Sequence, residues 1–464
     1  MRKIPSEELS GVFRDAIDVT RKAGIKYLWI DSLCIVQNSS IDWEVESQKM
    51  GDIYQNATFN IAATGFTDGS RGLFVQRDPG LVDPVQLQLK RAFDVVGTSN
   101  PQPGVYRLVE MSTWIEGVEH APLNYRGWVI QERYLSPRIL HFGARQLYWE
   151  CATSQRCESS LKGLNKWVNT YDATKSSSLR ERLSWGVKKQ DGQSSSSLDH
   201  WVVAVDRFSR SEITFPSDKL VALSGLARTL HDESLGSYMG GLWSEDIIHQ
   251  LTWEVKGDRQ RERPKDYRCP SWSWASIDSR VTSVYFKKWA SLASLLEVAT
   301  IPESDDDFGP LIGGHLKLLC QLICVEVSDP TGKYEALVDF PLERCLSGRG
   351  LIMDDINPLD EEVIPFEVPP LSNRRLRLVR SLEVWQPNHL LIAPMAIRQG
   401  NCWHPIRSLA LKPTHRYMKG GVFKRVGVFD TDEDNEVLQK IDQNLPESLC
   451  GTRQENGRYE ITII

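Results

Sequence analysis

The chain lacks most of the signatures that announce a chemistry. None of its nine cysteines forms a CxxC pair, and neither close cysteine pair has His or Cys neighbours at zinc-ligand spacing, so neither a thiol redox motif nor a structural metal is expected. The only close pairs are Cys151 with Cys157 and Cys320 with Cys324. An odd number of cysteines in a large chain fits reduced thiols better than a disulfide framework and points to the cytosol. No GxGxxG, Walker A or GxSxG sequence occurs. The dinucleotide oxidoreductase, nucleoside triphosphatase and hydrolase-triad classes therefore find no support.

Long apolar runs are also missing. The longest near the C-terminus, Leu390 to Ile397, contains Pro394 and is too short to cross a bilayer. The first 24 residues are charged and helical in pattern, without the apolar core of a secretory signal. Basic charge is in deficit: the formal net charge is −6, which gives no footprint for a nucleic-acid backbone. These absences together predict a soluble cytoplasmic protein with no membrane segment, no bound metal and no nucleic-acid partner.

Tryptophan, in contrast, is plentiful. Fifteen Trp in 464 residues suggest cores or pockets built on large flat side chains. A hydrophobic fraction of 41% and a charged fraction of 25% are those of an ordinary globular protein, and the length suits two or three domains.

Periodicity predicts a helix over Ser6 to Ala23, capped by Ser6, with Leu9, Val12, Phe13, Ala16 and Ile17 on one face and Gly24 at its end. Ile25 to Ile30 then reads as a buried parallel strand, Asp42 to about Asn56 as a second helix, and Phe59 to Thr64 as another strand. Gly65 to Pro122 gives no clear element. A third helix, Gly127 to Leu135, stops against Pro137 and precedes a hairpin of Arg138 to Phe142 and Gln146 to Cys151 across Gly143. The expected organisation is an α/β domain over 1–160, a helical middle region over 161–255, and a β-rich part over 256–464. In the last part, Ser271 to Ser276 alternates with Trp272 and Trp274 on one face, and His315 to Val327 is a further strand-like run.

Two segments stand out. In Tyr27-Leu-Trp-Ile-Asp-Ser-Leu-Cys-Ile-Val-Gln37, a strand ending at Ile30 would place Asp31 at its carboxyl end, where open α/β sheets form ligand crevices. Asp31, Ser32, Cys34 and Gln37 would surround that crevice. Alternatively, Asp31 caps the following turn and Cys34 is a small buried hydrophobe; a Cys34 nucleophile paired with His141 is a further option. In Arg126-Gly-Trp-Val-Ile-Gln-Glu-Arg-Tyr-Leu-Ser-Pro-Arg138, Trp128, Glu132 and Leu135 fall on one helical face. Glu132 is then a partly buried carboxylate, either half of an ion pair with Arg126 or Arg138 or a functional acid.

These two blocks, in this order, resemble the hallmark segments of the fungal heterokaryon-incompatibility (HET) domain. Met50, Tyr54, Ala57 and Ile61-Ala-Ala63 between them fit the same pattern, as do Asp218-Lys219, Ala222 to Ala227, Gly240 to Trp243 and Pro270 to Ala275 downstream. A weaker echo is Val426 to Phe429, and the resemblance covers most of residues 10 to 280. Such domains usually begin with a Leu-Ser-Tyr-x-Trp-Gly-like strand, which has no room ahead of Ser6, so an N-terminally truncated domain with an uncovered strand edge is expected.

The resemblance implies a protein of non-self recognition that triggers programmed cell death when incompatible fungal cells fuse, acting through assembly of the domain with itself or with protein partners. It also implies a TIR-like, flavodoxin-like α/β fold. Several TIR proteins cleave NAD with a Glu in a Trp-Cys-x-x-Glu motif, and Trp128 to Glu132 repeats that spacing with Val129 in place of Cys. On that alternative, Glu132 is the catalytic carboxylate, Asp31, Cys34, Gln37, Arg126, Trp128 and Arg138 hold the dinucleotide, and NAD is a substrate instead of a resident cofactor. An inactive truncated paralogue would keep the same packing residues.

Overall fold

The computed structural model describes residues 4–78, 80, 82–83, 85–90, 103–108, 110, 112–163, 196–256, 264, 266–282, 289–328, 350–353, 375–378, 389–398, 406–414, 421–431 and 445–464. The chain separates into two compact units, one formed by residues 1–195 with 211–213 and the other by 196–210 with 214–464. The fold is mixed α/β, with a β-rich C-terminal region.

The first unit opens with a 3₁₀ turn, Ser6–Glu8, followed by helix α1 (Gly11–Lys22). The cap is Ser10, whose hydroxyl accepts from the Phe13 amide at 3.3 Å, and not the expected Ser6. Ser6 is instead consumed by the separate turn. Gly24, at φ +71°, ends the helix in the left-handed region that glycine enters without a Cβ penalty. After the four-residue helix α2 (Asp31–Cys34) comes α3 (Ser40–Asn56), capped by Ser39. Strand β1 (Asn60–Ala62) follows, then an antiparallel pair, β2 (Val85–Leu89) with β3 (Gly104–Leu108), inside the stretch that the sequence left blank. Helix α4 (Gly127–Leu135), β4 (Arg138–Phe142) and β5 (Leu147–Cys151) match the sequence reading within one residue, and β6 (Ser154–Cys157) extends the hairpin.

These strands form one sheet in the order β1-β4-β5-β6, with β1 parallel to β4 and the remaining pairs antiparallel. Alternation along the strands divides the side chains between two faces. Leu140 and Phe142 face α1 in a core with Ala16, Leu73, Ile61 and Leu28. On the opposite face, His141 and Tyr148 meet Trp114, and a π-helical turn, Ile115–Glu119, adds Val118.

Ile25 to Ile30 is not a strand. It has no ladder partner, and Tyr27 is 88% exposed. Leu28 packs on the α1 core and Trp29 meets the Tyr54 ring edge-on at 5.8 Å, so side chains hold the segment beside the sheet without backbone pairing. An apolar run states that a segment packs; it does not state that its amides find a ladder.

In the second unit, helices Ser197–Phe208, Val221–Leu230 and Ile247–Gln250 are interspersed with two short antiparallel pairs, β7 (Tyr238–Met239) with β8 (Leu242–Trp243) and β9 (Glu254–Val255) with β10 (Val281–Thr282). The 164–195 part of the expected helical region lies outside the described residues. Ser271 to Ser276 is no strand either: Trp274–Ser276 is a 3₁₀ turn in which the Ser273 hydroxyl caps Ala275, so its two tryptophans are buried without pairing.

A ten-stranded sheet follows, comprising β11 (Trp289–Ser291), β12 (Ser294–Pro302), β13 (Leu311–Cys320), β14 (Ile323–Ser328), β15 (Gly350–Met353), β16 (Arg375–Leu378), β17 (His389–Arg398), β18 (Ile406–Pro413), β19 (Val422–Thr431) and β20 (Tyr459–Ile463). Its order is β12-β13-β20-β19-β18-β17-β14-β16, with β11 on β17 and β15 on β19. Ahead of this sheet in the chain, five of the fifteen tryptophans, Trp201, Trp243, Trp253, Trp272 and Trp274, are buried in the second unit. Buried Arg425 lies over the Trp253 ring at 3.4 Å and donates to the Leu251 carbonyl, which supplies the polar partners that a buried guanidinium needs. No disulfide joins the seven described cysteines to one another.

Gly65 sets the junction after β1, because a Cβ there would lie 2.6 Å from the Gly143 carbonyl carbon in the β4–β5 turn. Gly65→Ala is expected to cost about 1–3 kcal/mol through backbone displacement, read as a lower unfolding midpoint. Ser10→Ala should cost about 1 kcal/mol through loss of the cap. A Gly65→Ala protein as stable as wild type would show that this turn yields freely.

Candidate functional site

Helix α4 carries the residues of interest on two sides. Gly127 donates its amide to the Glu212 carbonyl at 2.7 Å, fixing the first turn, and the helix stops at Leu135 ahead of Pro137. Val129, Ile130, Arg133, Tyr134 and Leu135 are buried, whereas Trp128 and Glu132 are half-buried on the flank that meets α3. There Trp128 meets Trp43 edge-on, with ring centroids 6.4 Å apart. The Glu132 carboxylate accepts a hydrogen bond from the Tyr54 hydroxyl.

Burial pushes the Glu132 carboxyl up to about 7, and the neighbouring Asp31 charge adds to the shift. Arg126 and the Tyr54 hydrogen bond offset only part of it. The Tyr54 phenol is also held well above its ordinary value, by burial first and then by the charges of Glu132 and Asp31. Near neutral pH, Glu132 is therefore divided between acid and carboxylate, the condition for moving a proton in either direction. As a carboxylate it can also accept hydrogen bonds from sugar hydroxyls or stand beside a developing positive charge.

The structure thus gathers Glu132, Asp31 and Arg126 around Tyr54, with Trp128 alongside. No salt bridge within 4.0 Å joins Glu132 to Arg126 or Arg138, so the structural ion pair open to it in the sequence is not formed. Arg138 is exposed and donates to the Thr58 carbonyl at 3.3 Å. Gln37 turns back on its own loop, donating to the Ile35 carbonyl at 3.0 Å. Asp31 is the first residue of its short helix, whose N-cap is Ile30 with no side-chain cap; its carboxylate accepts from the adjacent Ser32 amide at 2.6 Å. Cys34 is exposed instead of buried, and it is not paired with His141, both of whose ring nitrogens are engaged elsewhere. Tyr54 was legible only as a residue on a helix face; its pairing with Glu132 depends on how α3 crosses α4.

A second constellation lies on the sheet side of α4. The Arg133 guanidinium is buried between two carboxylates, with Nε 2.9 Å from Glu150 Oε2 and Nη2 2.8 Å from Glu119 Oε1. Trp114 Nε1 donates to Glu119 at 3.2 Å. His141 completes the network, with Nε2 3.2 Å from Glu150 and Nδ1 2.9 Å from the Thr64 hydroxyl. Burial lowers the pKa of His141, so its ring is neutral, donating from Nε2 to Glu150 and accepting from Thr64 at Nδ1. Arg133 and His141 hold the Glu150 carboxyl well below its ordinary range despite burial. The sequence signal was the parity of β5, in which Glu150 shares the inward face with Tyr148.

Elsewhere in the unit a cleft of about 420 Å³ opens between Gly65, Thr113, Gly117, Arg145 and Tyr148. Its lining includes none of Asp31, Tyr54, Arg126 or Glu132. Among the described residues, no group of three or more His, Cys, Asp or Glu is placed to hold a metal, and no helix is long and apolar enough to cross a membrane.

Residues 2–132 match the family model of the heterokaryon incompatibility protein (HET). The matched span contains the first block entire and the second as far as Glu132, so the resemblance read from those residues holds. No curated protein and no solved structure matches the chain.

The two carboxylates oppose each other in their response to pH. Glu132, raised from near 4.5 to about 7, favours the folded state fully below pH 4.5, and that contribution disappears as pH rises through 7. Glu132→Gln should therefore remove a pH-dependent loss of stability on the order of 1–3 kcal/mol between pH 5 and 8, measured by denaturant unfolding at both values. An unchanged pH profile would place the carboxyl in water. Glu150 contributes above the ordinary carboxylate range and loses that contribution only in strong acid. Arg133→Met leaves buried Glu150 and half-buried Glu119 without their cation and should cost about 3–5 kcal/mol.

Proposed function

With residues 2–132 matched to the HET family, we propose that the chain is a non-self recognition protein whose HET domain triggers programmed cell death by assembling with itself or with protein partners. The family match carries this reading. Supporting it is a run of exposed apolar side chains in and after the first block: Tyr27, Leu33, Val36, Ile41 at 75% and Val45. Apolar groups crowded so closely along the chain are better suited to a partner than to water. The decisive experiment expresses the full chain in a fungal host and compares it with Tyr27→Asp/Ile41→Asp, with oligomeric state followed by light scattering. Loss of self-association together with loss of killing is expected; killing that persists in a variant shown to be monomeric overturns the assembly reading.

A second reading is favoured by one observation, the Glu132 carboxyl held near neutral titration by burial, bonded to Tyr54 and without an ion pair among the described residues. On this reading the domain is TIR-like in activity and cleaves NAD, with Glu132 beside the ribose as nicotinamide departs and Asp31, Arg126 and Trp128 contributing to the walls. Cys34, Gln37 and Arg138 have less to offer, since Gln37 and Arg138 are engaged with backbone carbonyls and Cys34 sits on an exposed turn. Purified protein incubated with NAD should consume it, and Glu132→Ala of matched folded content should be slower by at least about 100-fold. Equal consumption by both proteins removes Glu132 from the chemistry.

A further inference from the structure

The cleft of about 420 Å³ lies apart from Glu132, within the size range of small-molecule sites. Its wall owes its depth to a missing side chain: a Cβ at Gly117 would overlap the Tyr148 hydroxyl, so only glycine lets that phenol reach the cavity. Tyr148 is 4% exposed, and its polar connections are asymmetric. Gln146 spends its Oε1 on the Ser159 amide at 3.0 Å, and its amide group donates to Tyr148. The phenol's own proton is left without an acceptor among the described residues, on a group that lines the cleft. Thr113, 8% exposed, also lines the cleft, and its hydroxyl has no hydrogen bond among the described residues.

Charge narrows the ligand class. Asp83, Glu110 and Glu116 line the cleft against a single cation, Arg145, whose nearest approach to Glu110 is 3.9 Å at the exposed edge. The three carboxylates are exposed at the mouth of the cleft, where their excess over the one cation disfavours phosphates and carboxylic acids and favours ammonium groups. Two buried hydroxyls beside those carboxylates add a donor for a neutral oxygen. We propose that this cleft is a binding site for a small amino alcohol, its ammonium held by Glu116 and the neighbouring carboxylates and its hydroxyl oxygen accepting from Tyr148.

Isothermal titration of the full chain with 4-amino-1-butanol tests this, with 1,4-butanediol and butylamine as comparators. The amino alcohol should bind saturably and more tightly than either comparator, and its affinity should fall with added salt. Glu116→Gln should weaken it by about tenfold, the worth of one charge-assisted hydrogen bond. Tyr148→Phe should remove the advantage over butylamine while leaving butylamine unaffected, and matched melting curves exclude misfolding of either variant. Absence of saturable binding, equal binding of the diol, or insensitivity to Glu116→Gln each overturns the proposal.

Discussion

Arg133 is a permanent cation with almost no contact with water, and the first unit is arranged around its need for partners. Two carboxylates meet its fork from different parts of the chain, Glu150 from β5 and Glu119 from the π-helical turn, while His141 and Thr64 extend the hydrogen bonding across β4 to the end of β1. Breaking either guanidinium–carboxylate link leaves a charge without its partner where water has little access. The rotation of α4 about its axis is thereby fixed. With Arg133 pinned toward the sheet, its neighbour Glu132 is turned toward α3, where it finds Tyr54.

That constraint connects the buried network with the candidate site. Glu150 is fully buried and Glu132 half-buried, yet their pKa values move in opposite directions. Glu150 has a guanidinium at 2.9 Å and a histidine donor, and these outweigh burial. Glu132 has Arg126 beyond ion-pair distance and Asp31 opposing it, so burial prevails. One helix therefore carries a structural charge on one flank and a titratable one on the next.

The first unit also shows how side-chain packing and backbone pairing diverge. Leu28 and Trp29 are held by the α1 core and by Tyr54, while the backbone around them forms no ladder and Tyr27 stands in solvent. Tyr27, Leu33 and Val36 within the first block, and Ile41 and Val45 just after it, therefore present exposed apolar side chains in the best-marked stretch of the sequence. The 420 Å³ cleft is lined by none of Asp31, Tyr54, Arg126 or Glu132, so the unit offers two separate places with carboxylates in excess of arginine.

Much of this was legible in the sequence wherever the information was local. The span of α4, its stop before Pro137 and the hairpin across Gly143 follow from periodicity, a helix breaker and a turn residue a few positions apart. So did the helix over α3 and the half-buried state of Glu132, which needs only its spacing from Trp128 and Leu135. The cap of α1 was misplaced by four residues because Ser6 and Ser10 are both competent, and only the intervening turn decides between them. What tertiary structure alone decided concerns groups distant along the chain. Arg133 turned inward because Glu119 and Glu150 arrive there; Tyr54 reached Glu132 because α3 crosses α4; Ile25 to Ile30 stayed unpaired although its composition is that of a strand. Hydrophobic pattern determines which residues avoid water, but the partner of a buried charge or of an extended backbone is set by what the rest of the fold brings within hydrogen-bonding distance.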